Sequence, residues 1–283
     1  MMGAAWRIAR MEYGRLIRST RMLVLLVVAV FMRAFIAQPF AECAVSMGGK
    51  ISVLEPFMAL CSSGMVMLII PFGFVSMMAD FPWAEPIELF VHTRTTKRAW
   101  TSAQMIFLAM ASFTYVAALF AASCLMLLPY CSLRTDYSDT VKFYPQVFPE
   151  KAGGLVGSLI NGNLFNQLTL IESVLVSAAL VFLYMVLLGM VLLTWTVTNR
   201  RPAGLITDAV LLILGTASVF PEGRVKWLFP MAHAMTAGHF STFFSRTEFP
   251  LWGSFLYFGV LIVSLAAISL ACARNYQAGR ENS

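Results

Sequence analysis

The sequence predicts an all-α integral membrane protein with six transmembrane helices, and its composition, apolar segments and basic loops all support this class. Of its 283 residues, 59% are hydrophobic and 12% are charged, whereas soluble domains carry roughly 25% charged residues. So few charges could not cover a soluble core of this size, so lipid must be part of the solvent. The strict two-residue alternation of a membrane barrel is absent, and backbone groups in lipid must therefore pair within helices. We expect one transmembrane domain over residues 1–283.

The N-terminal segment is predicted to form an interfacial helix over residues 4–20. Arg7, Arg10 and Arg18 recur at helical spacings, and Trp6 and Tyr13 supply apolar contact. A basic amphipathic helix of this kind lies in the plane of the lipid headgroups. A plain orientation signal without a fixed helix is the alternative. The apolar stretch that follows is longer than the roughly 7–15 apolar residues of a signal peptide, so we expect it to be retained as the first span.

Six segments have the roughly 20 apolar residues that a helical span requires. They run over residues 22–40, 57–79, 103–131, 170–197, 203–220 and 251–273. The third and fourth are longer than necessary, so we expect them to tilt or to extend past the headgroups. The fifth is the shortest. The connection 221–250 is rich in aromatic residues but is broken by three prolines, which predicts one or two short helices at the outer interface.

The basic residues predict the orientation of the chain. With the N-terminus inside, the cytoplasmic segments hold twelve Lys and Arg residues, and the longer segments on the opposite side hold seven. This bias follows the positive-inside rule, so we expect a multi-pass protein of the plasma membrane with both termini in the cytoplasm. The basic residues flank the spans and do not gather on one face, which gives no reason to expect binding to nucleic acid.

The sequence offers no catalytic or cofactor motif, so we expect that the chain is not an enzyme and binds no cofactor or metal itself. It lacks G-x-x-x-x-G-K-[ST], G-x-S-x-G and H-E-x-x-H. His233 and His239 are six residues apart with no cysteine or acidic cluster beside them, which argues against a zinc site. Cys43 and Cys131 are both predicted near the outer surface. Free thiols are favoured there, and a disulfide between the two remains the alternative.

Two charged residues fall at membrane depth, where an ionisable group is costly and is often functional. Arg33 lies well inside the first span and Asp208 lies near the start of the fifth. Both are candidates for a substrate path or an ion pair. The alternatives are that Arg33 extends its side chain toward the headgroups and that Asp208 lies near the cytoplasmic surface.

The connection between the second and third spans has an acidic, apolar and then basic order. Pro86 suits the first turn of a helix, and Glu85 and Glu88 suit its positive end. Apolar residues follow, and basic residues from Arg94 to Arg98 close the segment. A short amphipathic helix on the cytoplasmic side is predicted, and a solvated loop whose basic residues orient the chain is the alternative.

Together, the interfacial helix, the six spans, this short helix and the outer connection resemble the permease subunits of ABC-2 type transporters. Those permeases commonly have an acidic residue, a Leu-rich short helix, and then a Pro- and Arg-containing stretch before a Lys that opens the third span. Here Thr95 stands where Pro is usual, and Gln104 replaces the Lys. The match covers most of the chain in architecture but only about twenty residues in motif.

The resemblance implies that residues 81–98 form a coupling helix that docks onto a separate P-loop ATPase subunit, which would bind ATP and Mg. The implied contact residues are Glu85, Glu88, Leu89, Phe90, Arg94 and Arg98. It also implies an exporter that works as a dimer with a second copy or a paralogue of this chain. The alternative is a non-transport accessory or regulatory membrane subunit. A membrane-embedded enzyme is the weakest of the three interpretations.

Overall fold

The computed structural model describes residues 2–82, 95–152, 155–159, 162–219, 224–241 and 246–273. Within these residues, five helices are long and apolar enough to cross a membrane. The paired strands there comprise only two residues each, Ile51–Ser52 (β1) and Cys131–Ser132 (β2). The predicted class of an all-α membrane protein is therefore supported, and five of the six predicted spans correspond to helices of this length.

The first span is longer than predicted. Helix α1 covers Met2–Arg18, and the following helical stretch Thr20–Met47 consists mainly of α2 (Leu23–Met32) and α3 (Gln38–Met47). A π-helical turn, Arg33–Ala37, joins α2 to α3. It ends two residues before Pro39, which has no N–H to donate to a regular helix. The stretch ends at Gly48, whose φ of +61° is a left-handed conformation that glycine adopts without a steric cost.

The second predicted span, residues 57–79, is not one continuous helix, and this prediction was wrong. The segment forms α4 (Glu55–Ser62), α5 (Gly64–Met67) and α6 (Ile69–Met77), and Ser63 between the first two is extended. Serine side chains compete for backbone hydrogen bonds, and glycine is a poor helix former, so Ser62, Ser63 and Gly64 break the helix. Every residue of α4 is buried, and irregular backbone at membrane depth is tolerated where protein surrounds it.

The other four long helices lie close to their predicted positions. They are α7 (Lys97–Met126), α11 (Leu170–Val197), α12 (Arg201–Val219) and α14 (Leu251–Cys272). Helix α7 begins before predicted residue 103 because the Thr96 hydroxyl accepts a hydrogen bond from the Ala99 N–H at 3.3 Å and caps the helix. Helix α11 has the predicted limits, and Thr169 and Glu172 form a capping box at its start.

Helix α11 lies at the centre of the bundle and packs against α4, α7, α12 and α14. Gly189 lets α7 approach closely, because a Cβ there would lie within 2.4 Å of the Leu108 side chain. In the most apolar 18-residue stretch of α11, 61% of the residues are buried. In the corresponding stretches of α14 and α12, only 11% and 22% of the residues are buried. The last two helices therefore have few fully buried residues and lie at the periphery of the described bundle.

The connections 48–54, 127–169 and 224–250 meet at one end of the bundle, which we call the loop end. They contain the β1–β2 pair, the helices α8 (Asp139–Val147), α9 (Pro149–Ala152), α10 (Leu155–Leu159) and α13 (Pro230–Ala234), and short 3₁₀ turns. Asn163 joins two of these connections by donating hydrogen bonds to the carbonyls of Ala237 and Phe240, at 2.8 and 3.1 Å. Short helices thus occur between the fifth and sixth spans as expected, and their placement at the outer interface stays a prediction.

Candidate functional site

Most of the predicted coupling helix lies outside the described residues, including Glu85, Glu88, Leu89, Phe90 and Arg94. The described residues on either side of it contact the helix bundle. At the end of α6, Asp80 pairs with Arg21 at the start of the first span, at 2.8 Å. Phe81 stacks on Phe107 of α7 with ring centroids 5.3 Å apart. The segment therefore leaves from and returns to defined positions on the bundle.

Arg98 is the one predicted contact residue that the structure describes. It is exposed in the first turn of α7, immediately after the Thr96 cap. A partner could reach its guanidinium group without any change in the described bundle.

Helix α1 packs along α7, so it is anchored to the bundle as well as being amphipathic. The Gln104 side-chain amide donates a hydrogen bond to Glu12 at 2.7 Å, and both side chains are buried. The Tyr13 and Thr114 hydroxyls share a second hydrogen bond, also at 2.7 Å. The predicted helix is confirmed, and its position in the headgroup plane stays a prediction.

A groove of about 810 Å³ lies beside α1. Its lining residues are mostly basic, and they are Arg7, Arg10, Met11, Gly14, Arg15, Arg18, Ser19 and Arg21.

Asp208 is fully buried within the bundle. Neither of its carboxylate oxygens has a hydrogen-bond partner among the described residues, and the same holds for the hydroxyl of Tyr184 on neighbouring α11. Asp208 is close enough for its charge to act on that hydroxyl. Its depth relative to the cytoplasmic surface stays a prediction. Two adjacent helices place polar groups without described partners in an apolar interior.

Arg33 lies elsewhere and is exposed at the start of the π-helical turn. It lines a groove of about 400 Å³ together with Gln38, Met126 and Tyr130, among others. Arg21–Asp80 and Lys226–Glu248 are ion pairs between described residues, and neither pair includes Arg33 or Asp208. The structure thus does not bring Arg33 and Asp208 together, and neither has an ion-pair partner in the described parts of the chain.

Glu55 at the loop end is a buried carboxylate that sequence reasoning missed. One oxygen accepts the backbone N–H of Ser138 at 2.6 Å, and the other accepts the backbone N–H of Ser52 at 2.8 Å. The Ser138 hydroxyl lies 2.8 and 3.0 Å from the two oxygens. Glu55 therefore joins β1 and the start of α4 to the N-terminus of α8. The signal in the sequence was an acidic residue directly before Pro56 at the start of an apolar segment.

The pKa of Glu55 reflects two opposing effects. The group precedes the predicted second span, and burial raises its pKa to about 7, because removing a carboxylate from water disfavours the charged form. The donated hydrogen bonds from Ser138 and Ser52 and the charge of Lys142 act in the opposite direction. Burial is the larger effect, so Glu55 titrates near neutral pH.

The thiols and histidines do not form a metal centre in the described residues. All five cysteines are free, so the disulfide between Cys43 and Cys131 is absent. No group of three or more metal-ligating side chains occurs in the part of the chain that the structure describes. His233 and His239 do come together, however, around the hydroxyl of Ser254.

Comparisons of the chain with protein-family models, with curated proteins and with solved structures found no significant match. A functional proposal therefore rests on the chain's own residues and their arrangement.

Proposed function

We propose that this chain is the transmembrane permease subunit of an ABC-2 type exporter. In this proposal it crosses the plasma membrane six times, with residues 57–79 forming a broken second crossing and both termini in the cytoplasm. Its energy comes from a separate P-loop ATPase subunit that binds ATP and Mg, and its dimer partner is a second copy or a paralogue.

The observation that carries the proposal is the attachment of α1 and the first span to the borders of the segment 81–98. Arg21 pairs with Asp80 just before this segment, and the buried Glu12–Gln104 hydrogen bond lies just after it on α7. An exposed ion pair contributes little stability, so the buried contact is the stronger link. A displacement of the segment would therefore move α7 and α1 together, as a rigid-body transport cycle requires.

The chain has no P-loop motif of its own, so in the proposal a partner subunit hydrolyses ATP and supplies the energy. In the proposal, Glu85, Glu88, Leu89, Phe90, Arg94 and Arg98 contact that partner. The exposed apolar surfaces of α12 and α14 would contact lipid or the second permease subunit.

Asp208 and Tyr184 are the polar groups that we assign to the path of the cargo. A buried carboxylate and a buried hydroxyl without described partners are expensive to keep in an apolar interior. Groups retained at such a cost are candidates for contacts made only during transport. Arg33 is a second candidate at the edge of the path, because it lines an open groove.

Co-purification tests the proposal directly. The full-length tagged chain would be extracted from its native membrane in mild detergent, and the recovered proteins would be identified by mass spectrometry. We expect a P-loop ATPase with the wild type and at least a tenfold loss of it with Leu89→Asp. The matched control is Leu133→Asp, because Leu133 is 89% exposed at the loop end and lies outside the proposed contact.

Each outcome has a distinct meaning. Recovery of the ATPase with the control but not with Leu89→Asp supports the docking assignment. Equal recovery with both variants rejects residues 81–98 as the contact. Failure of the wild type to retain any P-loop ATPase rejects the transporter proposal in favour of an accessory membrane subunit.

A further inference from the structure

Two buried imidazoles at the loop end point at one serine hydroxyl. His233 belongs to α13, His239 ends the 3₁₀ turn Thr236–His239, and Ser254 lies in the first turns of α14; each is at most 1% exposed. The Ser254 Oγ is 2.8 Å from His233 Nδ1 and 2.7 Å from His239 Nε2. We call these three residues the His–Ser–His cluster.

The second nitrogen of each imidazole contacts a backbone carbonyl. His233 Nε2 is 2.8 Å from the Trp227 oxygen, and His239 Nδ1 is 2.9 Å from the Met235 oxygen. A carbonyl oxygen only accepts hydrogen bonds, so both of these nitrogens must carry a hydrogen. A neutral imidazole has a single N–H. In the neutral cluster, therefore, both nitrogens that face Ser254 are lone-pair acceptors.

A count of hydrogens then shows that the neutral cluster is one hydrogen short. Two nitrogen–oxygen contacts of 2.7 and 2.8 Å converge on Ser254, and a serine hydroxyl supplies one hydrogen. One contact would place two lone pairs against each other. With one added proton, an imidazolium donates to the Ser254 oxygen, and the Ser254 hydroxyl donates to the other imidazole. All four contacts are then satisfied.

We propose that His233, Ser254 and His239 form a binding site for a single proton, held jointly by the two imidazoles through the serine hydroxyl. The inference is independent of the proposed transport function. Proton binding completes the hydrogen bonds between residues 227–239 and α14 in the folded chain.

The surroundings determine the pH at which the site fills. Burial lowers the pKa of both histidines, that of His239 to about 4, while their hydrogen bonds to backbone carbonyls act in the opposite direction. The charges of His233 and Lys226 lower the pKa of His239 further, so the site takes one proton and resists a second. Titratable groups on the elements packed around the cluster are Arg201, Arg224, Lys226, Arg246, Glu248, Tyr257, Tyr184, Glu172, Asp208, Glu55, Cys61 and Cys272.

The charges of two of these neighbours, Lys226 and Glu248, offset each other. Lys226 pairs with Glu248 at 2.7 Å, which reduces the net charge beside the cluster. The ring of Tyr257 stacks on His233 with centroids 4.0 Å apart and excludes water from that side. The site is therefore neutral and one hydrogen short at pH 7, and it fills as the pH falls below the ordinary histidine value of about 6.5.

Nitrogen NMR of the full chain in detergent tests the proposal. The protein contains three histidines, so ¹⁵N-histidine labelling of a His92→Gln chain reports on the cluster alone. At pH 7 we expect the two rings as opposite neutral tautomers, with hydrogen on Nε2 of His233 and on Nδ1 of His239. Between pH 7 and 4 we expect one proton equivalent per chain, with both rings changing at a single midpoint below about 6.5.

Ser254→Ala is the decisive variant. It removes the hydroxyl that links the rings, so we expect two separate midpoints and about tenfold weaker binding of the first proton, because a hydrogen bond to a charged group is lost. Ser269→Ala is the matched control, since Ser269 lies on the same helix and pairs with Thr194 instead, at 2.8 Å. It should titrate like the wild type.

Several results would overturn the proposal. They are identical tautomers at pH 7, two protons taken up independently near pH 6.5, or a joint midpoint that Ser254→Ala leaves unchanged. A titration altered by a chelator would assign the site to a metal ion instead. Gel-filtration elution at each pH defines the range in which the chain stays folded. If Ser254→Ala does not fold, the His92→Gln chain still tests the proposal. Opposite tautomers at pH 7 and the uptake of one proton support it, and any other result rejects it.

Discussion

Glu55 and Asp208 are both acidic side chains that the fold buries completely, and their surroundings differ. At the loop end, Glu55 accepts hydrogen bonds from two backbone N–H groups and one hydroxyl. On α12, Asp208 has no described partner for either oxygen. An unpaired buried polar group costs about 1–3 kcal/mol. The contrast indicates that Glu55 stabilises the fold, whereas Asp208 is kept at the expense of stability and is the better candidate for function.

Alanine at each position should have very different effects on stability. Glu55→Ala leaves three buried donors without an acceptor, so we expect it to lower the free energy of unfolding by about 4 kcal/mol. Asp208→Ala removes a group that has no described partner, so we expect a loss below about 1 kcal/mol or a small gain. Thermal unfolding in detergent, followed by the exposure of buried Cys61 to a thiol reagent, measures both. Equal losses would mean that Asp208 is paired in the folded chain.

The pH dependence of stability sharpens the same comparison. Burial raises the pKa of Glu55 to about 7, against about 4.3 in an unfolded chain. The folded state therefore holds the proton more tightly. Its contribution to stability is complete below about pH 4.3 and is lost as the pH rises through about 7, by about 4 kcal/mol in total.

Glu55→Gln isolates this contribution because glutamine does not titrate. The difference in unfolding midpoint between the wild type and Glu55→Gln should change steadily between pH 4.5 and 7, and it should be constant above about pH 8. The buried histidines act in the opposite direction over the acidic part of this range, but they are common to both chains and cancel. A difference that is constant from pH 4.5 to 7 would contradict the raised pKa.

Two buried tyrosines give the smallest expected effect. The Tyr137 hydroxyl at the loop end shares a hydrogen bond of 2.7 Å with Ser173, whereas the Tyr184 hydroxyl on α11 has no described partner. We expect Tyr137→Phe to lower the free energy of unfolding by about 1 kcal/mol and Tyr184→Phe to leave it unchanged or to raise it slightly. The same thermal assay compares them. A larger loss for Tyr184→Phe would show that its hydroxyl is satisfied, for example by water.

The sequence predicted the long helices well where an apolar segment lies between clear end signals. Helix α11 has its predicted limits because Thr169 and Glu172 cap its start. The break at Ser63 was missed because hydropathy measures the side chains and carries no information about which backbone groups pair. In Ser62-Ser63-Gly64, small polar residues favour the break although their neighbours are apolar.

The candidate sites depended on contacts that are distant in the sequence, so most could not be predicted. Glu55 and its partner Ser138 are 83 positions apart. His233 and His239 were considered only as zinc ligands, but they lie on two short helices, and both contact Ser254 of α14. Asp208 was found from the sequence because a charge within an apolar segment is conspicuous without any knowledge of its neighbours.

Helix α14 is joined to its neighbours by polar contacts near both ends. Ser254 contacts the two histidines, and Ser269 contacts Thr194 of α11. The two serines are fifteen positions apart, which corresponds to roughly 22 Å at about 1.5 Å per residue. Half of the residues between them are exposed, and most of the others pack against the bundle. Apolar contacts change little when one helix slides past another, whereas a hydrogen bond requires a fixed distance. The two serines therefore favour one position of α14 along its own axis relative to α11 and the loop end.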